Sequence, residues 1–309
     1  MQTILGAGGP VANALARQLK NYSAEIRLVS RSPKKVNPDD DLVKANLLKP
    51  GEVMKAVEGS DVVFLTAGLL YDHKIWRRDW PVIMKNVINA CGKYDAKLVF
   101  FDNVYMYDKK EIPHMTEESQ VDPPSRKGKV RAEIAAKLMQ RVQTGKLKAL
   151  IARSADFYGP ESADNSILME TVFKPLSKGK KANWLGKADK PHSFTYIPDA
   201  AKATALLGNS NEAYGQIWHL PTAANPPAGK EWVAMIATEL NVKPKCRVVP
   251  KWMVWIMGWF MPIMKETVEM IYQYDRNYVF DSSKFEKSFN IKPTSYEIGI
   301  KEVVSRNFK

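Results

Sequence analysis

The stretch that most restricts this chain is Gly6-Ala7-Gly8-Gly9-Pro10, which can hold no regular secondary structure. It separates the apolar run Thr3-Ile4-Leu5 from Val11 to Leu19, whose apolar positions recur at helical spacing. The order is therefore strand, tight turn, helix. Glycines at such a turn allow positive φ and close backbone approach to a pyrophosphate, and the free N–H groups opening the helix meet its charge. Gly6-x-x-Gly9-x-x-Ala12 is looser than the familiar Gly-x-Gly-x-x-Gly spacing. Gly6, Gly8, Gly9, Pro10 and Val11 are thus expected to seat a dinucleotide.

A second strand, Glu25 to Ser30, runs into a turn carrying Arg31, Lys34 and Lys35. In a doubly wound sheet this strand's end lies beside the adenosine ribose. An acid there accepts from the 2′-hydroxyl, whereas an arginine binds a 2′-phosphate. Ser30-Arg31 with Lys34 and no acid predicts NADP rather than NAD. Asp41 to Leu47 reads as a third strand and Pro50 to Glu58 as a helix. Asp61 to Leu65 follows as a continuous apolar run, closed by Thr66, Ala67 and Gly68. Such a run suits a strand buried on both faces, and the small residues leave space for a ligand at its end.

At 309 residues the chain can bury one large domain and a smaller lobe, and 45% hydrophobic with 26% charged residues is a globular composition. Cys91 and Cys246 make neither a disulfide framework nor a metal site, which suits a reducing cytosol. With a strand beginning at residue 3, no export signal is expected, and the location read from this is cytoplasmic. The net charge of +13 comes from scattered lysines without a basic arm or nucleic-acid motif. It is read as serving solubility and attraction of anions, not nucleic-acid binding.

Four segments in order resemble the extended short-chain dehydrogenase/reductase superfamily, the branch of NAD(P)-dependent nucleotide-sugar epimerases and dehydratases. They are Gly6 to Ala12, Asp61 to Gly68, Arg153 to Pro160 with its Tyr158-Gly159-Pro160, and Phe194 to Ala203 with Phe194, Tyr196 and Asp199. The resemblance implies an α/β fold, a Rossmann-type doubly wound parallel sheet with a smaller C-terminal substrate lobe. Residues 1–160 are expected to form the NADP-binding domain and 161–309 mostly the lobe, with 194–205 returning to the main domain. On this resemblance Asn46, Leu47, Thr66, Ala67, Gly68, Asp102, Lys127 and Phe157 join the cofactor contacts, and Tyr158 faces substrate.

The catalytic positions depart from the family. Its Ser or Thr after the fifth strand falls here on Asp102 or Asn103, beside Tyr105 and Tyr107. Its Tyr-x-x-x-Lys aligns with Lys127 and Arg131, so the spacing survives on one helix face while the side chains differ. Arginine stays protonated, so Arg131 is read as binding ribose or phosphate. Lys127, Tyr105 and Tyr107 stay open as the proton-transfer group. The chain thus resembles atypical members of the superfamily that keep the cofactor seat and lose the usual tyrosine and lysine.

Leu69 to Pro81 is read as a cleft-bordering loop before a helix from Pro81 to Tyr94, with Tyr71, His73 and Trp76 available to substrate. His192 is placed at the same cleft, and Asn86 holds its helix against the sheet. The stretch Lys251 to Met264, dense in tryptophan and methionine, is too short to cross a bilayer. Core packing, a lid, and a protein or membrane-surface contact remain as its readings. A helix is expected over Glu269 to Asp275.

The sequence thus predicts an NADP-binding oxidoreductase or epimerase-like protein with a non-standard active site. Its substrate is a small carbonyl, hydroxyl or sugar-like molecule, and no metal is expected. A non-catalytic NADP(H) sensor is the alternative, and a homodimer is the family's usual arrangement.

Overall fold

The computed structural model describes residues 1–162 and 166–309. In chain order the first elements are β1 (Gln2–Leu5), α1 (Pro10–Leu19), β2 (Ile26–Ser30), β3 (Asp41–Lys44), α2 (Pro50–Val57) and β4 (Val62–Leu65). Next come α3 (His73–Lys93), β5 (Lys97–Asp102), α4 (Arg126–Gln143), β6 (Ala149–Arg153) and β7 (Phe157–Tyr158). Then follow α5 (Lys174–Ser177), β8 (Ala182–Leu185), β9 (Thr195–Tyr196), α6 (Ile197–Asn209) and β10 (Ile217–His219). The last are α7 (Gly229–Glu239), β11 (Cys246–Val249), α8 (Lys251–Met257), α9 (Pro262–Val268), α10 (Ser283–Phe289) and α11 (Tyr296–Asn307).

Two units make up the chain. The first comprises Met1–Met106, Lys127–Ser154 and Ala200–Leu220; the second comprises Tyr107–Arg126, Ala155–Asp199 and Pro221–Lys309. In the first, β1, β4 and β6 are buried at every position, as strands covered on both faces must be. The sheet runs β3-β2-β1-β4-β5-β6-β10, with every pairing parallel. The order reverses direction between β1 and β4, where Leu5 lies beside Leu65 on one side and Val29 on the other. Ligands of open α/β sheets bind outside the carboxyl ends of the strands at such a reversal. This is the doubly wound Rossmann-type sheet expected from the sequence.

Helix α3 corrects one expectation. It begins at His73 and not at Pro81, because Asp72 caps it by accepting from the Lys74 and Ile75 N–H groups at 2.7 and 3.2 Å. Pro81 sits within it, and Trp76 and Trp80 are buried on its inner face. Most of the supposed cleft loop is therefore helix.

The second unit packs around Tyr158, Phe173, Trp184, Phe194 and Trp232. Its strands form two parallel pairs, β7 with β9 and β8 with β11. A smaller apolar cluster of Leu185, Val249, Val254, Ile271 and Tyr274 receives the inner sides of α8 and α9. The helix expected over Glu269 to Asp275 is reduced to one 3-10 turn at Ile271–Gln273.

Candidate functional site

Gly6 leaves β1 with φ +95°, and a Cβ on it would lie 2.3 Å from Ala67 Cα. Only glycine permits both the positive φ and this approach of the β1 turn to the end of β4. The Gly6 and Ala7 N–H groups both donate to Val29 O, at 2.9 and 3.0 Å, which ties the turn to the end of β2. Gly8 has φ +106°, and a Cβ on Gly8 or Gly9 would meet nothing within 4 Å. Gly9 precedes α1 in an extended conformation with no side chain capping the helix, and Pro10 occupies its first turn. The N–H groups of Val11 and Ala12 thus open an uncapped helix at the point where the sheet order reverses, which fits a pyrophosphate.

The neighbouring candidates frame this seat. Ser30 ends β2 half-buried, and Arg31 and Lys34 are exposed beyond it. Thr66 extends the pairing of β4 with β1 by donating its N–H to Leu5 O at 2.9 Å, ahead of half-buried Ala67 and exposed Gly68. After β3, Asn46 Oδ1 accepts from the Leu48 N–H at 3.1 Å, and Leu47 O accepts from Asn86 Nδ2 at 2.9 Å. Asn86 therefore anchors α3 to the loop that carries Asn46 and Leu47.

At the ends of β4 and β5 the fold gathers Tyr71, Trp76, Tyr105 and Lys127. Tyr71 meets Trp76 edge-on at 5.9 Å, and Trp76 stacks on Tyr105 with centroids 6.1 Å apart. Lys127, fully buried in the first turn of α4, holds its Nζ 4.4 Å from the Tyr71 ring centroid. Tyr105 is half-buried. Its backbone N–H donates to Asn103 Oδ1 at 3.0 Å, and the Asn103 N–H donates to Asp102 Oδ1 at 2.8 Å. Asn103 therefore shapes the turn that presents Tyr105.

One helical turn beyond Lys127, Arg131 serves a different purpose from the ribose or phosphate contact expected of it. Its Nε donates to Asp102 Oδ1 at 2.6 Å, Nη2 contacts the same oxygen, and the guanidinium lies 4.5 Å from the Trp80 centroid and 4.9 Å from that of Phe100. Arg153 Nε reaches the second Asp102 oxygen at 3.6 Å. All three charged residues are buried. Asp102 and Arg131 therefore hold each other beneath the aromatic group, because a buried carboxylate needs its partners close.

The remaining candidates, His73 apart, belong to the second unit. Phe157 is half-buried in β7, and Tyr107 is fully buried. Tyr158, expected to face substrate, is instead core: its ring lies 5.3 Å from Tyr196 and 5.6 Å from Trp232, and a Cβ on Gly299 would be 2.2 Å from its hydroxyl. Burial holds its phenol well above the ordinary tyrosine range. His192 is also internal, stacked on Tyr278 at 4.1 Å and Tyr274 at 5.0 Å, with Nε2 3.1 Å from Asp156 Oδ2. Tyr274 donates its hydroxyl to the same carboxylate oxygen at 2.6 Å. His73, the first residue of α3 in the first unit, is half-buried.

Reading the sequence missed Arg153, Trp80 and Phe100 as parts of the site. Arg153 carried a signal, since a single charge ending the otherwise apolar Ala149–Arg153 strand requires an internal partner. No local pattern marks Asp156, Tyr274 or Tyr278 as partners of His192.

The reversed parallel sheet and the glycine turn at its reversal define a Rossmann-type fold, a class in which ligands bind at the reversal. The NAD dependent epimerase/dehydratase family matches residues 3–219. The chain belongs to this family. Its fold is similar to UDP-glucose 4-epimerase of Thermus thermophilus, solved with NAD, at TM-score 0.79 and 16% identity over 99% of this chain and 98% of that one. It is also similar to a double mutant of the dTDP-glucose 4,6-dehydratase DesIV from Streptomyces venezuelae, at TM-score 0.81 and 15% identity over 99% and 96% of the two chains. UDP-N-acetylglucosamine 4-epimerase of Bacillus cereus aligns at TM-score 0.77 and 14% identity, covering 98% and 94%. A sequence comparison with curated proteins gave no match.

Proposed function

We propose that the protein is an NADP(H)-dependent oxidoreductase or epimerase-like enzyme acting on a small carbonyl, hydroxyl or sugar-like substrate. The observation that carries this reading is the junction of the uncapped α1 N-terminus with the end of β2, where Val29 O holds the glycine turn and Arg31 follows exposed with no acid beside it. Gly8, Gly9 and the Val11 N–H hold the pyrophosphate. Arg31 and Lys34 meet a 2′-phosphate, and the Asn46 and Leu47 loop borders the adenosine end. The nicotinamide, when bound, supplies hydride exchange with a carbonyl or carbinol carbon.

The chain's own residues handle the proton. Tyr105 is the phenol assigned to this step, because it is half-buried at the end of β5 whereas Tyr107 is sealed in the second unit. Lys127 places its ammonium 4.4 Å from the Tyr71 ring centroid, and Arg131, paired with Asp102, lies 5.8 Å from that of Trp76. A homodimer, the usual arrangement in this family, belongs to the same reading.

Thermal-shift titration with NADPH, NADP+, NADH and NAD+ tests it, since a ligand at 100 times its Kd stabilises by about 2.7 kcal/mol. Selective stabilisation by NADP(H) is expected, followed by NADPH turnover in a screen of carbonyls and nucleotide sugars. Tyr105→Phe should then lower kcat by about a hundredfold or more with binding of NADP(H) intact. No shift with any dinucleotide would overturn the reading; binding without turnover across the screen would favour the sensor instead.

A further inference from the structure

Helices α8 and α9 form a hairpin whose two sides are both apolar. The inner side, with Met253, Val254, Met257, Met264 and Val268, packs on the Leu185, Val249 and Ile271 cluster. The outer side presents Trp252, Trp255, Ile256, Trp259, Phe260 and Ile263 to solvent. Exposure rises toward the turn, to 71% at Trp259 and 81% at Phe260. The hairpin is preformed: a Cβ on Gly258 would lie 3.0 Å from Lys265 Cα, so glycine lets the two helices close, and Trp255 and Trp259 meet edge-on at 4.9 Å.

Charge selects the occupant of this face. From Lys243 to Lys265 the chain has five cations, Lys243, Lys245, Arg247, Lys251 and Lys265, and no carboxylate, and Glu266, the one acid on the hairpin, is buried. All five are exposed, and Lys251 and Lys265 lie on the hairpin itself. Arg247 also lines a hollow with Lys178, Lys180 and Lys181, beside Lys174 paired with Glu170. Aromatic and aliphatic tips flanked by lysine suit the boundary between lipid headgroups and acyl chains, where tryptophan concentrates and cations are drawn to anionic lipid. Each helix has seven residues and is about 10 Å long, which matches insertion to headgroup depth and falls far short of a bilayer core. No helix among the described residues is long and apolar enough to cross a membrane.

We infer that the α8–α9 hairpin is an interfacial anchor that docks the protein on an anionic phospholipid surface, with Trp259 and Phe260 entering the headgroup layer and the lysines meeting lipid phosphate. This inference stands apart from the dinucleotide reading.

Sedimentation of the full chain with phosphatidylcholine vesicles, with and without phosphatidylglycerol, tests it alongside tryptophan emission. The expected result is binding that requires phosphatidylglycerol, weakens with salt and shifts emission to the blue. Trp259→Ser/Phe260→Ser should weaken binding at least about tenfold and remove the blue shift. Lys251→Glu/Lys265→Glu should weaken it by about fivefold or more per charge. The substituted residues are exposed, so the melting temperature should hold. Absence of binding to phosphatidylglycerol vesicles, or binding that the Trp259 and Phe260 changes leave intact, would overturn the inference. So would a wild-type dimer in sedimentation velocity that these changes convert to monomer without any vesicle binding, since the face would then belong to a second copy of the chain.

Discussion

Arg131 and Asp102 form a buried ion pair at 2.6 Å, with the arginine standing at the helix position where the resemblance places the family's lysine. Arg153 approaches the other carboxylate oxygen, so one anion lies between two guanidinium groups. The positive charge at this position is thus paired with the carboxylate ending β5, while its guanidinium also lies 5.8 Å from the Trp76 ring centroid and Lys127 lies over Tyr71.

Removing Arg131 exposes the cost of that arrangement. Arg131→Met should destabilise the protein by about 3 kcal/mol, the lower end for a broken buried pair, because Arg153 remains near Asp102. Urea unfolding measures this, and Arg131→Lys should recover part of the loss. A change below about 0.5 kcal/mol in Arg131→Met would mean that the pair contributes no more than a surface contact.

Two glycines separate folding from binding at the seat. Gly6→Ala forces a side chain into a positive φ and against Ala67, so it should cost about 2 kcal/mol or more and lower the melting temperature. Gly9→Ala has a negative φ and open space around the new methyl, so stability should change little. Its effect should appear as weaker dinucleotide binding by calorimetry, because the methyl would stand where the proposed reading brings the pyrophosphate. Unchanged affinity in Gly9→Ala would move the phosphate away from this turn.

Arg31→Glu reverses the charge beyond β2 without touching the core, since Arg31 is exposed. Preference should move from NADP toward NAD by about tenfold or more, at about 1.4 kcal/mol per factor of ten. Equal relative affinities before and after the change would sink the assignment of the 2′-phosphate to this residue.

The two thiols should differ in reactivity. Burial pushes the Cys91 thiol up to about 12, whereas Cys246 is exposed. At pH 8 only about one Cys91 in ten thousand would be thiolate, and that fraction lies inside the core. A thiol-specific chromogenic disulfide reagent should titrate one group per native chain and two after unfolding in guanidinium. Cys246→Ser should leave none reactive in the native state. Rapid native reaction of that variant would show that the core around Cys91 opens.

The strand, glycine turn and helix at the start of the chain were legible because they are local. A strand, a glycine turn and a helix lie within Gln2 to Leu19, and their conformations depend on neighbours a few residues away. The reach of α3 was not legible, since Pro81 resembles a helix start while the capping by Asp72 competes with it from nine residues earlier. Trp76 consequently reads as a loop residue but is buried on the inner face of a helix.

By itself the sequence determined the alternation of strands and helices, the glycine turn after β1 and the cationic turn after β2. Tertiary structure alone decided that Gly6 must be glycine because β4 brings Ala67 against it, and that Arg131 faces Asp102. It also decided that Tyr158 is sealed over Gly299 and that Trp259 and Phe260 stay uncovered. The physical reason is range: φ preferences and hydrophobic periodicity act over a few residues, whereas burial and ion pairing depend on which distant segments the sheet and its helices bring within contact.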